Sequence, residues 1–220
     1  MRVEDCRVIT LDGPAGAGKS TAAREAARRL GLPFLDTGAI YRAITLVMLK
    51  ENIPAEDSLR LRDALRGFSI SFAGDRVFVG ERDVTEEIRT LEIDAHVSSY
   101  AALPVVRSAL LDIQRSQSVG GLVAEGRDMG TVVFPNAGLK IFLTASPESR
   151  ARRRYDERVA RGETADYDEI LEAVNRRDRL DSERASAPLR QAQDAILLDT
   201  TDMTFDQVVE RILEYAGRME

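Results

Sequence analysis

The segment Gly13-Pro14-Ala15-Gly16-Ala17-Gly18-Lys19-Ser20 fits the pattern GxxxxGK[ST] and stands between an apolar run, Val8-Ile9-Thr10-Leu11, and a stretch of helical pattern, Thr21 to Leu30. A strand, a glycine-rich loop and a helix in that order restrict the chain to folds in which backbone N–H groups close round phosphate oxygens. The helix N-terminus adds its positive end to such a site. Lys19 then supplies a mobile ammonium for the β and γ phosphates, and Ser20 a hydroxyl ligand for Mg²⁺. Of the 31 basic residues only Lys19, Lys50 and Lys140 are lysines, so arginine is the default cation of this chain. A lysine kept in the loop marks a place that wants a flexible point charge instead of a planar fork.

The remainder of the sequence supplies the sheet that such a loop needs. Short apolar runs at Val8–Leu11, Pro33–Leu35, Leu122–Ala124, Lys140–Leu143 and Ala195–Leu198 alternate with helical patterns, the sequence form of an α/β parallel sheet. Asp12, Asp36, Glu125 and Asp199 follow these runs, where the chain emerges at the carboxyl edge that binds ligands in open α/β folds. As a group they are site candidates, although any one of them can be a turn or cap residue. Phe68-Ser69-Ile70-Ser71-Phe72 alternates with period two, and after Ala73-Gly74-Asp75 short strands continue through Arg76–Val79 and Glu81–Val84. This predicts a small antiparallel insert. Thr204 with Gln207 three residues on predicts a capping box at the last helix.

A chain of 220 residues has room for one main core with an insertion or lid. The net charge of −6 argues against a broad nucleic-acid or membrane surface. Cys6 is the sole cysteine, which excludes an internal disulfide and suggests a reducing compartment; its expected role is structural, in the first strand. Neither a signal-peptide core nor an apolar run of membrane-spanning length is present, so a cytoplasmic location is expected.

The phosphate loop by itself leaves kinases, GTPases, motor ATPases and sulfotransferases open. A GTPase should carry Asn-Lys-x-Asp, and the three lysines leave nowhere for it. Two further segments put arginine beside carboxylate at the sheet edge: Leu35-Asp36-Thr37-Gly38-Ala39-Ile40-Tyr41-Arg42 and Ala124-Glu125-Gly126-Arg127-Asp128-Met129-Gly130-Thr131-Val132-Val133-Phe134-Pro135. These resemble the LD[ST]GAIYR and [DE]GRDMGTVVFP segments of the bacterial cytidylate kinases. Arg177-Asp178-Arg179-Leu180-Asp181-Ser182-Glu183-Arg184 resembles that family's RDxxDxxR segment, and the resemblance runs over essentially the whole chain.

What the resemblance implies is concrete. The fold would be a P-loop NTPase-type five-stranded parallel sheet flanked by helices, with the small antiparallel insert and a short helical lid. Residues 1–220 would form a single P-loop kinase core, containing an acceptor-nucleotide-binding insert at 67–97 and a lid at 150–166. ATP, with Mg²⁺ on Ser20, would occupy Gly13, Pro14, Ala15, Gly16, Ala17, Gly18, Lys19, Ser20 and Thr21. CMP or dCMP would be the acceptor, and the protein a monomer. Arg42, Arg127 and Arg184 would hold the acceptor phosphate, Arg177 and Asp181 the ribose, and Ser98, Arg107 and Asp128 the base. Thr37, where many relatives have serine, and Tyr41 would line the acceptor pocket. Glu125, where others have aspartate, would help hold Mg²⁺. Lys19, Arg127, Arg184 and the lid residue Arg154 are the expected catalytic set.

The chemistry asks for such residues independently of any family. A nucleoside monophosphate, with a second pKa of about 6, is largely dianionic at neutral pH and already a nucleophile. No general base is needed; the task is to bring two polyanions together and stabilise the charge that spreads over the transferring group. Cytosine presents an N4 amino donor, which a carboxylate such as Asp128 reads, whereas uracil presents an oxygen there. On a helix Arg177, Asp181 and Arg184 stand at i, i+4 and i+7, so one face would carry arginine, carboxylate, arginine. Arg150, Arg154, Arg158 and Arg161 follow another stripe, which is either a solvated face or the lid that closes over ATP. Pro104 marks a helix boundary that puts Arg107 on a first turn, and His96, the sole histidine, reads as a structural helix residue. Two other readings stay open: a small P-loop kinase acting on another monophosphate or a small metabolite, and a nucleotide-binding switch that phosphorylates neither.

Overall fold

The computed structural model describes residues 7–219; Cys6 lies outside them. In chain order, β1 (Val8–Asp12) leads through the glycine-rich loop into α1 (Lys19–Leu30), β2 (Phe34–Asp36), α2 (Thr37–Lys50), α3 (Leu59–Arg66) and the short strands β3 (Ile70–Ala73), β4 (Arg76–Val79) and β5 (Arg82–Asp83). Then come α4 (Leu91–Ala101), α5 (Pro104–Arg115), β6 (Leu122–Gly126), a π-helical turn (Met129–Val133), β7 (Leu139–Thr144), α6 (Pro147–Ala160), α7 (Tyr167–Glu183), β8 (Ile196–Asp199) and α8 (Phe205–Ala216). The described residues form two compact units, one of residues up to 35 and from 117 on, the other of 36–116.

The first unit is built on a five-stranded parallel sheet in the order β2-β6-β1-β7-β8. Every residue of β1 and β6 is buried, which is why both read as unbroken apolar runs: a central parallel strand is covered on both faces and has no polar side to show. Val8 pairs with Leu122 and Leu11 with Glu125, while Leu11 faces Ile141 on the other side, so the loop after β1 starts beside the ends of β6 and β7. Alanines 22, 23, 26 and 27 let α1 lie close on the sheet, where Val208, Val209 and Ile212 of α8 join the same core. The expected capping box is present: Gln207 N–H donates to Thr204 Oγ1 and Thr204 N–H to Gln207 Oε1. Helices α6 and α7 share a small core of Ala151, Ile170 and Val174, with Arg152 lying over the rings of Tyr155 and Tyr167.

In the second unit α2 packs on α3 and α4, α5 packs on α3 and α4, and β3, β4 and β5 form an antiparallel sheet. Phe72 faces Val77 and Phe78 faces Asp83. The first of these strands begins at Ile70, two residues later than the alternation suggests, because Phe68 N–H bonds back to Leu65 O and finishes the preceding helical turn. One helix ends at Ala101 and the next opens with Pro104, whose missing N–H costs nothing at a first helical position.

Gly13, at φ +146°, is the tightest point of the first unit. A Cβ there would lie 1.9 Å from the Leu143 carbonyl oxygen, a backbone atom of β7. Gly13→Ala is therefore expected to lower stability by about 3 kcal/mol, the range of backbone strain combined with overpacking. A urea midpoint equal to wild type would show that the loop has room.

Candidate active site

Gly18, left-handed at φ 83°, caps α1 without a side chain to accept from the first N–H groups of the helix, and no acidic residue occupies the first turn. The positive end of the helix is thus left for an anion. Lys19, 5% exposed, is the first helical residue, and its Nζ donates to Pro14 O at 2.8 Å across the loop. Burial, and then repulsion from Arg127, lowers its pKa to about 7 against the attraction of Glu125, Asp12 and Asp181. Ser20 Oγ donates to Glu125 Oε1 at 2.9 Å, and Thr21 Oγ1 donates to Gly18 O at 3.0 Å. Beside the loop is a cavity of about 390 Å³ lined by Gly16 to Ala22, by Arg153, Arg154 and Glu157 of α6, and by Met203, Phe205 and Val208. The apolar members of this wall were not anticipated from sequence. Their signal in the sequence is an aromatic, Phe205, directly after the Thr204 cap of the helix that follows the last apolar run.

Arg150 departs from the arginine stripe. It is 2% exposed and each of its three nitrogens donates internally: Nε to Ala145 O, Nη1 to Ala15 O and Asp178 Oδ1, Nη2 to Asp178 Oδ2. This guanidinium is a strut between the loop, α6 and α7, not part of a solvated face. Arg153 donates to Thr200 O and Oγ1, Arg154 lines the cavity, and Arg158 is half-buried near the end of α6.

At the end of β6 the chain carries Arg127 and Asp128. Arg127 Nε donates to Asp181 Oδ2 at 2.8 Å and Nη1 to Gly126 O at 3.2 Å. Burial pushes Asp181 up, but Arg127, then Arg177 and Arg184, hold its carboxyl below the usual range. Asp128, 2% exposed, has Oδ1 3.8 Å from Arg184 Nη2, and Arg184 Nε donates to Ala187 O. Arg127, Asp128, Asp181 and Arg184 are thus one buried cluster, with Arg177 in the field of Asp181. Arg184 is not on the helical face expected for it: α7 ends at Glu183, and Arg184 is extended, at φ −60° and ψ 139°. Leu189 N–H bonding to Asp181 O and the left-handed Ala187 fold this segment back.

The acids at the sheet edge divide. Asp36 caps α2 through Ala39 N–H, and Asp199 accepts from Thr201 N–H and Oγ1, both local roles. Glu125 meets the loop through Ser20, and Asp12 is buried beneath the turn after Asp128.

The other candidates belong to the second unit. Thr37, 2% exposed, opens α2. Arg107, on the first turn of α5, lies 5.3 Å over the Tyr41 ring and donates to Ala101 O at 3.2 Å. Arg42 donates to Asp94 Oδ1 at 2.6 Å and to Ile88 O at 3.4 Å. Asp94, 52 residues away in sequence, was not foreseen as its partner. Ser98 is half-buried on α4; His96, on the same helix, is exposed with Nδ1 2.8 Å from Glu92 O. Among the described residues no three His, Cys, Asp or Glu side chains converge, and no helix is long and apolar enough to cross a membrane.

The cytidylate kinase family pattern matches residues 9–218. A cytidylate kinase of Exiguobacterium sp. is 50% identical over 214 residues, covering 94% of this chain and 96% of the relative. That of Caldanaerobacter subterraneus is 51% identical over 207 residues, covering 94% and 92%. That of Carboxydothermus hydrogenoformans is 47% identical over 215 residues, covering 96% and 97%. Among solved structures, an uncharacterised protein of Eubacterium ventriosum shares the fold with a TM-score of 0.53 at 11% identity, covering 96% of this chain and 98% of that one. With a phosphate loop and a buried arginine–carboxylate cluster on one sheet edge, and relatives at half identity over nearly the full length, the chain belongs to the cytidylate kinase family.

Proposed function

We propose that this protein transfers the γ-phosphoryl group of ATP to CMP, and also to dCMP, and that it works as a monomer. An oxygen of the CMP phosphate forms the new bond to phosphorus, the bond to the β–γ bridging oxygen breaks, and CDP and ADP leave. The observation that carries this reading is the pair of cations gathered at one sheet edge: Lys19, buried in the phosphate loop with Nζ on Pro14 O, and Arg127, half-buried after β6 with Nε on Asp181 Oδ2. Like charges held together are costly, and a polyanion relieves that cost.

On this reading Gly13 to Thr21 hold the triphosphate. Arg42, Arg127 and Arg184 hold the acceptor phosphate, with Lys19, Arg127, Arg184 and Arg154 stabilising the charge of the transferring group. Arg177 and Asp181 bind the ribose, Ser98, Arg107 and Asp128 read the base, and Thr37 and Tyr41 line its pocket. The Ser20 hydroxyl and the Glu125 carboxylate, 2.9 Å apart, are hard oxygen donors. That set fits Mg²⁺, which takes one or two protein oxygens and completes its shell with phosphates and water. Bound there, Mg²⁺ would neutralise charge on the β and γ phosphates.

Purified enzyme given ATP, Mg²⁺ and each of CMP, dCMP, UMP, AMP and GMP should release ADP fastest with CMP. A preference for a purine monophosphate or UMP, or turnover independent of CMP, would sink the assignment. Asp128→Ala should lower kcat/KM for CMP and reduce the CMP-to-UMP preference by about 100-fold, the scale of a lost polar contact to a base.

A further inference from the structure

We infer that Asp12 is a positioning residue for acceptor recognition: it clamps the π-helical turn that aims Arg127 and Asp128. Asp12 ends β1, directly before Gly13, and is 4% exposed. Its Oδ1 accepts from Met129 N–H and its Oδ2 from Gly130 N–H, each at 2.8 Å. Both oxygens are therefore committed to the backbone immediately after Asp128. Burial pushes the Asp12 carboxyl up to about 6 in spite of these two donors, so the ionised clamp is held at a cost.

The turn it holds is an unusual one. Val133 N–H reaches Asp128 O at 3.2 Å and Phe134 N–H reaches Met129 O at 2.7 Å, the spacing of a π-helix. Such turns are rare and concentrate at functional positions. The sheet also leaves the turn little room: a Cβ on Gly130 would meet Thr10 Oγ1 at 3.0 Å and Lys140 Cδ at 3.1 Å. Pinned by a carboxylate and backed by a strand, the turn fixes the direction in which β6 delivers Arg127 and Asp128. One side chain thereby ties the entry to the phosphate loop to the residues proposed for the acceptor phosphate and base. The acceptor needs no general base, so Asp12 is not required for proton transfer, and each of its carboxylate oxygens faces a backbone N–H of the turn.

The inference rests on the base-reading role of Asp128, so its test runs two variants together. Asp12→Asn keeps the size and one acceptor but leaves the other N–H unmatched. The ratio of kcat/KM for CMP to that for UMP does not depend on how much of the enzyme is folded. It therefore separates positioning from simple loss of stability. In Asp12→Asn this ratio should fall by about 10-fold, the range for residues that orient a functional group. KM for ATP should stay within about threefold of wild type, because the phosphate-loop groups are intact. If Asp12→Asn is insoluble, Asp12→Ser, which also leaves one acceptor and no charge, gives the same readout. A collapsed ratio in Asp128→Ala with a wild-type ratio in Asp12→Asn would overturn the inference alone. An unchanged ratio in Asp128→Ala would overturn the base-reading role on which it depends.

Discussion

Lys19→Met should abolish most of the phosphoryl transfer and at the same time make the protein more stable. The ammonium is 5% exposed and its pKa is lowered to about 7 by burial and by Arg127. Between its ordinary value of 10.5 and 7 lie about 3.5 units, or about 5 kcal/mol of cost for keeping this group in the fold at neutral pH. Methionine has a similar length and no charge. Its substitution removes that cost and forfeits the bond to Pro14 O, worth about 1–3 kcal/mol when the carbonyl is left alone. The net expectation is a melting midpoint several degrees higher at pH 7. The linkage has a definite sign. A lysine whose folded pKa is depressed contributes its full stability above the unfolded value and loses it as the pH falls toward 7. The advantage of methionine should therefore shrink as the pH rises toward 10.5. Activity should fall by about 10³-fold or more, since a charge that follows the transferring phosphoryl group is gone. A variant with wild-type kcat would remove Lys19 from the transfer step.

What could be read in the sequence and what could not follows the range of the interactions. The phosphate loop is local: eight consecutive residues fix the backbone turn, and Gly13 and Gly18 adopt the conformations that only glycine takes easily. The central strands show because burial on both faces leaves a continuous apolar run, as in β1 and β6. Side-chain partners are different. A spacing of four along α6 gives the same pattern whether an arginine faces water or a neighbouring helix. Only the packing of α6 against α7 reveals that Arg150 is bound to Asp178, 28 residues on. Arg184 continued a helical face on paper, yet the turn around Ala187 ends the helix one residue before it. Asp12 looked like any acid at the end of an apolar run. Its two partners are backbone N–H groups 117 and 118 residues away, which no side-chain pattern encodes.

Arg127 and Asp181 offer the second large effect, because here stability and catalysis can be pulled apart. The pair is bonded at 2.8 Å, with side chains 19% and 10% exposed. Arg127→Met leaves the Asp181 carboxylate buried with Arg177 and Arg184 as its remaining cations. Those two arginines soften the loss, so a cost of about 2 kcal/mol is expected, below the 3–5 typical of a broken buried pair. Asp181→Asn should cost more, about 3 kcal/mol, because three guanidinium groups then share a site with one fewer anion. The double variant removes one charge of each sign. Its loss should be smaller than the sum of the single losses by about 1–2 kcal/mol, measured as the coupling in a double-mutant cycle of urea unfolding. Catalysis should not follow that recovery. If Arg127 holds the acceptor phosphate and stabilises the charge of the transferring group, kcat/KM for CMP falls by about 10³-fold in Arg127→Met and stays there in the double variant. Recovery of activity in step with stability would make Arg127 a structural ion-pair partner and nothing more. Additive stability losses would instead show that the 2.8 Å contact carries no coupling of its own, leaving the clustered arginines and carboxylates to act as a shared field.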